Sequence, residues 1–166
     1  MQFILIVLRL VHIAAGAFWA GSALFIALVL LPGVRKAAPG GERNLPMAAI
    51  SQAMSLAALL TTIAGLLLYA WASRFAWGWI VSPLGVGLTL GSLAGLAAFL
   101  LGLLSTGPTV ARIGALAGQM QAAGGPPKPE QAADMGRLRA KLATSSTVST
   151  ILTTVSLVFM AVARYL

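Results

Sequence analysis

The chain has 166 residues, of which 59% are hydrophobic and only 8% are charged. Its mean hydropathy is +0.94. Soluble domains carry roughly 25% charged residues, so this composition excludes an ordinary soluble protein and predicts one built for lipid. The net charge of +8 does not indicate a nucleic-acid partner. The basic residues flank apolar stretches, where they set membrane orientation and contact anionic lipid.

Few side chains are available for metal or catalytic chemistry. The chain has no cysteine, one histidine and three acidic residues. The lack of cysteine excludes disulfides, thiolate metal sites and covalent haem attachment. The shortage of imidazoles and carboxylates excludes conventional zinc and di-iron sites. Because no predicted span contains a carboxylate or a nucleophile–base arrangement, we do not expect an enzyme.

Four uncharged or nearly uncharged stretches exceed the roughly 20 residues needed to cross the hydrocarbon core of a bilayer. We predict membrane spans over about 2–31, 47–72, 84–105 and 142–164. The whole chain, 1–166, is then a single membrane domain of the all-α class, an antiparallel bundle of four transmembrane helices. The pair Gly107-Pro108 predicts a break or a kink at the end of the third span.

The connection between the third and fourth spans, about 107–141, is long enough to have structure of its own. Its two halves, 109–123 and 130–141, are typical of helices, and 124–129 is typical of a turn. We therefore predict a short cytoplasmic helical hairpin whose second arm continues into the fourth span. This hairpin is either a docking surface or a solvated connection between two spans.

Lysine and arginine are unevenly distributed between the connections, and this asymmetry predicts orientation. They concentrate in two places: Arg35, Lys36 and Arg43 after the first span, and Arg112, Lys128, Arg137, Arg139 and Lys141 after the third. We expect loops 32–46 and 106–141 to lie in the cytoplasm and both termini to lie outside, in the bacterial cytoplasmic (inner) membrane. Aromatic residues around the turn after the second span are typical of an interfacial belt.

Small and hydroxyl-bearing residues indicate how helices pack in lipid. The third span carries Gly87, Gly91 and Gly95 at steps of four, with Gly102 one heptad further. We predict that this glycine ridge packs tightly against a neighbouring helix. The fourth span is rich in serine and threonine, whose hydroxyls act as packing contacts or line a polar conduit.

The first span carries the only histidine of the chain. On a helix of 3.6 residues per turn, Arg9, His12, Gly16 and Trp19 fall within about 60° of a common line. His12 lies near the middle of the membrane. Ionisable residues at such depth usually face the interior of the bundle and indicate function, so this face is the predicted ligand site.

Haem b fits this face, with the His12 imidazole as an axial iron ligand. Gly16 would leave room for the ring, and Arg9 would pair with a propionate. The sixth ligand would be Met54, Met160, another side chain, a second subunit or nothing. Copper at His12 and proton handling are alternatives. With no cofactor, His12 would bond to a hydroxyl of the fourth span and Arg9 would extend to the surface.

The segment LRLVHIAAGAFWAGSALFIALVLLP resembles the first span of bacterial four-span membrane proteins related to the copper-resistance D-type (CopD-like) superfamily. In that group a similar His is followed by Trp-x-Gly and a closing Pro, here His12, Trp19, Gly21 and Pro32. The stretches GPTVARIGAL, GGPPKPEQAA and VARYL also resemble the group. The resemblance implies a four-helix bundle with haem or copper.

A more distant resemblance is to small four-span haem proteins of the protoporphyrinogen oxidase type. Those proteins pair a first-span histidine with a lysine in a later span. The lysines of this chain, Lys36, Lys128 and Lys141, lie outside the predicted spans. The resemblance therefore does not carry the oxidase activity over to this chain.

From these patterns we expect a small, non-catalytic integral membrane protein, embedded in the lipid bilayer, with a binding or redox-accessory role. His12 is the candidate position for a ligand, with haem b as the first candidate and no cofactor as the alternative. A second hypothesis is a structural or accessory subunit without a cofactor. It would contact other membrane subunits or copies of itself through the glycine ridge and the cytoplasmic hairpin. A third is copper transport or homeostasis. Copper sites favour several soft ligands, but none of the six methionines lies in an M-x-x-M or M-x-x-x-M cluster.

Overall fold

The computed structural model describes residues 2–30, 32–33 and 47–166. In these ranges the chain forms helices and short connections and no strand, so the all-α prediction is confirmed. Four helices of the described chain are long and apolar enough to cross a membrane, one for each predicted span. Most of the predicted loop over 32–46 lies outside the described residues.

The spans correspond to four long helical elements. The first span is α1, Gln2–Phe25, followed by a π-helical segment, Ile26–Leu30. The second is α2, Met47–Ser73, and a short helix α3, Trp77–Ile80, follows it. The third is α4, Pro83–Leu101, which continues through a π-helical segment, Gly102–Thr106, into α5, Gly107–Ala122. The fourth is α6, Pro129–Val162, which ends in a 3₁₀ turn, Ala163–Tyr165.

The third span does not end at Gly107-Pro108. The helix changes its winding to π over Gly102–Thr106 and then returns to α geometry at Gly107. Proline removes one backbone donor and crowds the preceding turn, and the wider π turn accommodates both effects without ending the helix. The predicted break is therefore wrong, and the local irregularity lies just before the proline.

Both predicted helices of the 107–141 connection are confirmed, as α5 and as the first part of α6. The turn between them contains Gly124 at a φ of 65°, which glycine adopts without strain. Pro129 occupies the first helical position of α6, where a missing N–H costs nothing. The backbone N–H of Lys128 donates to Oε1 of Gln131 at 3.1 Å. α5 packs against α6.

The connection between the second and third spans is a tight turn with strained backbone. Arg74 and Phe75 have φ values of 46° and 55°, in the left-handed region that side-chain-bearing residues rarely adopt. The hydroxyl of Ser73, which is only 1% exposed, accepts a hydrogen bond from the Phe75 N–H at 3.2 Å. This buried cap compensates in part for the strain.

The start of α4 is held by a second serine. The Ser82 hydroxyl donates to the carbonyl of Trp79 at 2.6 Å and accepts from the N–H of Gly85 at 3.1 Å. Ser82 is thus the N-cap of α4, and Pro83 follows at the first helical position. This combination is a strong helix start. It fixes the short helix α3 directly against the first turn of α4.

The spans pack as two helix pairs. α1 lies along α2, and α4 lies along α6, whereas α2 meets α4 and α1 meets α6 over shorter stretches. The pairs join at a small core of tightly packed residues: Trp19, Ala57, Ala58 and Ala98. Alanines let the backbones approach closely around the single large ring of Trp19. This core closes one end of the space between the pairs.

Three glycines of the third span face the fourth span: Gly91 and Gly95 face α6, and Gly87 faces the 3₁₀ turn at its end. A Cβ on Gly87 would lie 3.0 Å from Cβ of Ala163, and one on Gly95 would lie 2.9 Å from Oγ of Ser156. Gly91 likewise contacts α6, next to Phe159. A Cβ on Gly102 would meet no atom within 4 Å. The close contact between α4 and the fourth span therefore runs over the first three glycines and does not include Gly102.

Replacing Gly87 by alanine should weaken the contact between α4 and the fourth span. The new Cβ would lie 3.1 Å from the Ala163 Cα, and backbone cannot swing away, so we expect a loss of about 1–3 kcal/mol. Gly102→Ala is the matched control and should cost nothing measurable. Unfolding by SDS in mixed micelles measures both variants. Equal stability of the two proteins would contradict the packing described above.

The hydroxyls of the fourth span bond mainly to their own helix. Five threonine side chains of α6 donate to the carbonyl four residues earlier: Thr144, Thr147, Thr150, Thr153 and Thr154. One contact reaches another helical segment, from the Thr106 hydroxyl to that of Ser145 at 3.3 Å. The hydroxyl protons of these threonines are thus used within the helix itself. They contribute little to the hydrogen bonds between spans.

Candidate functional site

The candidate site is built around a contact between His12 of α1 and Thr61 of α2. Nδ1 of His12 lies 2.8 Å from the backbone carbonyl oxygen of Thr61. The Thr61 hydroxyl donates to the backbone carbonyl of His12 at 3.0 Å and lies 3.2 Å from Nδ1. Each residue thus engages both the side chain and the backbone of the other, and Thr61 is buried.

This contact determines which nitrogen of His12 carries the proton. A backbone carbonyl can only accept a hydrogen bond, so Nδ1 must be the donor toward Thr61. In a neutral imidazole the other nitrogen, Nε2, then has a free lone pair. Nε2 has no hydrogen-bond partner among the described residues. Every fully buried polar side-chain atom of those residues does have a partner, so Nε2 is not fully buried.

Two glycines make the contact possible. A Cβ on Gly65, one turn beyond Thr61, would lie 2.7 Å from Cε1 and 2.9 Å from Nδ1 of His12. A Cβ on Gly16, one turn beyond His12, would lie 2.9 Å from the Thr61 hydroxyl. Each helix therefore presents a polar residue followed four positions later by a glycine. The polar side chain of one helix occupies the space over the glycine of the other.

His12 lines a cavity of about 480 Å³ between the two helix pairs. All four spanning helices contribute to its walls, which are largely apolar. Cofactor and ligand sites typically have volumes of about 300–1,000 Å³, apolar walls and a few placed polar groups. The cavity matches that description, with the accessible Nε2 of His12 as its most distinctive polar group.

The other residues predicted for this site also line the cavity. Arg9 is exposed on α1, one turn before His12. Gly16 and Trp19 lie on the opposite side of His12 along the same helix. Trp19, which is 9% exposed, belongs at the same time to the core that joins the helix pairs. The structure thus brings the four residues to one wall, with Trp19 marking its closed end.

The end of the cavity near the α2–α4 turn is walled by aromatic side chains. Tyr69 and Trp79 meet edge to face, with ring centroids 5.6 Å apart. The Tyr69 hydroxyl is engaged with the hydroxyl of Thr89 at 2.7 Å. The Thr89 hydroxyl donates in turn to the carbonyl of Gly85 at 2.7 Å. Since the Thr89 proton goes to Gly85, the Tyr69 O–H is the donor toward Thr89, and this chain of contacts holds the rings in place.

The two methionines considered as further ligands lie in different places. Met160 of α6 lines the cavity. Met54 of α2 instead packs against the core around Trp19. No group of three or more His, Cys, Asp or Glu side chains suited to a metal ion occurs in the described part of the chain.

The hydrogen-bond partner of His12 differs from the expected one. The hydroxyl was predicted to come from the fourth span, but it comes from Thr61 in the second. The physical reason is that Gly16 and Gly65 bring the backbones of α1 and α2 together at this level. Sequence reasoning missed Thr61 and Gly65, although the matching spacings His12-x₃-Gly16 and Thr61-x₃-Gly65 are a visible signal.

The function must be argued from these residues themselves. Comparison of the chain with protein-family models, with curated proteins and with solved structures gives no match.

Proposed function

We propose that this chain is a multi-pass protein of the bacterial cytoplasmic membrane that holds haem b at His12 and has a binding or redox-accessory role without catalysis of its own. One observation carries the proposal. The Nδ1–H of His12 donates to the backbone carbonyl of Thr61 at 2.8 Å. Histidines that bind metals commonly donate their second ring N–H to such an acceptor, which fixes the ring and raises the basicity of the ligating nitrogen.

The chemistry of the cavity supports haem as the ligand. Its apolar walls suit a large flat apolar ring, and Nε2 of His12 is the kind of nitrogen that serves as a proximal haem ligand. Arg9, on the same wall, would pair with a propionate carboxylate. Trp19 and the alanine core would exclude water from the closed end. When bound, haem supplies one-electron redox chemistry.

The proposed architecture is an antiparallel four-helix bundle. Its support is that residue numbers rise along one helix of each pair while they fall along the other. Gly87 and Gly95 lie opposite Ala163 and Ser156, in that order. His12 and Gly16 lie opposite Gly65 and Thr61, in that order. We further propose that α5 and the first part of α6 form a cytoplasmic hairpin. The packing of α5 against α6 and the glycine turn at Gly124 support this.

The proposed orientation places both termini outside and the hairpin in the cytoplasm. Its support is the concentration of basic residues in two connections. Phe75 and Trp77, in the opposite turn, are 72% and 75% exposed. Exposed rings at such a turn suit the membrane–water interface of the outer face, where aromatic residues are enriched.

The relationship to the CopD-like superfamily is part of the same proposal and rests on the positions of His12, Trp19, Gly21 and Pro32.

The competing functions have less support. A copper site favours several soft ligands, and the cavity wall offers His12 and Met160. An accessory subunit was expected to bind its partner through the glycine ridge and the cytoplasmic hairpin. The first three glycines of that ridge contact the fourth span of the same chain.

The proposal predicts a coloured protein whose colour depends on His12. Protein purified in mild detergent from haem-supplied cells should show a Soret band, and dithionite should reduce the bound haem. His12→Ala should abolish the band because it removes the proximal ligand. Leu10→Ala is the matched control, since Leu10 lies on the same helix and is 69% exposed, and it should keep the spectrum. A pyridine haemochrome spectrum identifies the haem as type b.

Two results would overturn the proposal. The first is a colourless wild-type protein that also fails to bind added haemin. The second is a His12→Ala protein with the same spectrum and haem content as Leu10→Ala. In the first case, co-purification with a larger membrane assembly would support the accessory-subunit hypothesis instead.

A further inference from the structure

We infer that Met160 is the second axial ligand, opposite His12, so that the bound haem joins the two helix pairs. This inference rests on the proposed function and goes beyond it, because one histidine alone would serve a five-coordinate haem equally well. Protein groups that ligate haem iron are histidine, cysteine, methionine and tyrosine side chains.

Elimination among the wall residues leaves one candidate. The chain has no cysteine and no second histidine. Tyr69 lines the cavity, but its O–H donates to the Thr89 hydroxyl at 2.7 Å and its ring is held against Trp79, so it is kept protonated and in place. Met160 is the remaining side chain of a ligating type among the described residues that line the cavity.

The position of Met160 in the fold agrees with this role. The two axial ligands of a haem stand on opposite faces of the ring, so they must come from opposing walls. His12 lies on α1 of the first helix pair, and Met160 lies on α6 of the second. Met54 lies on α2, in the same pair as His12, and packs into the core around Trp19.

The Met160 side chain packs against Gly91 of α4 at the cavity wall. Its methyl carbon lies beside Gly91, where a Cβ would be only 3.3 Å away. The absence of a side chain at Gly91 thus makes room for the thioether at the cavity wall. Methionine has three rotatable bonds and adapts to irregular space. Small rotations about these bonds would present the sulfur to a ligand in the cavity.

A ligand held from both sides would also complete the fold. Between the core around Trp19 and the Tyr69–Thr89 contact, the helix pairs enclose the cavity. A ligand that binds only the folded protein stabilises it by mass action. Bonds to His12 and to Met160 would tie the first pair to the second. Haem should therefore raise the thermal stability of the protein more when both ligands are present.

The test compares Met160→Leu, Met160→His and the matched control Met54→Leu. Met160→Leu keeps an apolar side chain of similar size but removes the sulfur. It should retain haem on His12, lose the low-spin six-coordinate spectrum and the weak ferric charge-transfer band of a sulfur–iron bond, and lower the midpoint potential, since methionine ligation raises it. Met54→Leu should keep the wild-type spectrum and potential.

Met160→His keeps the test decisive if Met160→Leu folds poorly. It should restore a low-spin spectrum of the bis-histidine type, with a lower midpoint potential than the wild type. Wild-type spectrum and potential in Met160→Leu would overturn the inference and leave haem binding at His12 intact. A high-spin wild-type spectrum would do the same. Failure of the wild type to bind haem would overturn the proposed function together with this inference.

Discussion

A Gly65→Ala variant is expected to lose the contact between His12 and Thr61 and, with it, the proposed binding of haem. The added Cβ would lie 2.7 Å from Cε1 of the imidazole and 2.9 Å from Nδ1, well inside van der Waals contact. The ring cannot move aside and still donate to the Thr61 carbonyl, because that bond holds it against α2 at 2.8 Å. Either the helices separate or the imidazole turns away.

Both responses are measurable. Overpacking costs about 1–3 kcal/mol, and a lost hydrogen bond adds about 1 kcal/mol, so the apoprotein should unfold at a lower SDS fraction in mixed micelles. Haemin titration should show no Soret band at His12. Gly21→Ala adds the same methyl group to α1 where no atom lies within 4 Å, and it should behave as wild type. Wild-type haem affinity and stability in Gly65→Ala would contradict this account of the site.

Among the glycines that the structure describes, Gly85 is the one where an added methyl group, in a Gly85→Ala variant, is expected to affect folding most. Its Cβ would lie 1.8 Å from the carbonyl oxygen of Trp79 and 2.9 Å from that of Ile80. Both obstacles are backbone, so no side-chain rotation relieves them. The turn cannot open without cost either, because the Ser82 hydroxyl bonds to the Trp79 carbonyl at 2.6 Å and to the Gly85 N–H at 3.1 Å.

We expect a loss of stability of about 3 kcal/mol or more, at or beyond the upper end of typical overpacking effects. The variant should accumulate poorly in membranes and unfold early in SDS titrations. Gly78→Ala is the matched control, since Gly78 lies in the neighbouring short helix and has open space around its Cα. That change should be neutral or slightly stabilising, because alanine is the better helix former. If the two variants unfold together, the close approach at Gly85 is wrong.

The four spans could be predicted from sequence because the hydrocarbon core excludes charge and requires every backbone group to be satisfied within a helix. The same reasoning correctly predicted the helices on both sides of the turn at Gly124. It was wrong at Gly107-Pro108. A break or a kink was predicted there, and the helix does not break, because the π winding over Gly102–Thr106 accommodates the proline.

The glycine ridge shows where periodicity stops being informative. Gly87, Gly91 and Gly95 follow one face of a straight helix, and they face the fourth span. Gly102 continues this spacing in the sequence, one heptad after Gly95. It lies at the start of the π segment, however, and no atom lies near its Cβ position. How close a neighbouring helix comes at each level of the third span depends on packing, which the spacing of the glycines does not specify.

The sequence by itself determined that the chain is helical, that four of its stretches are apolar enough to span a bilayer, and that its only imidazole lies deep within the first of them. These properties follow from composition and from local backbone physics. Only the tertiary structure decided that His12 meets Thr61 and that Met160, rather than Met54, lines the same cavity. Those contacts depend on the rotation and register of one helix against another, which are set where glycines and alanines let the backbones approach.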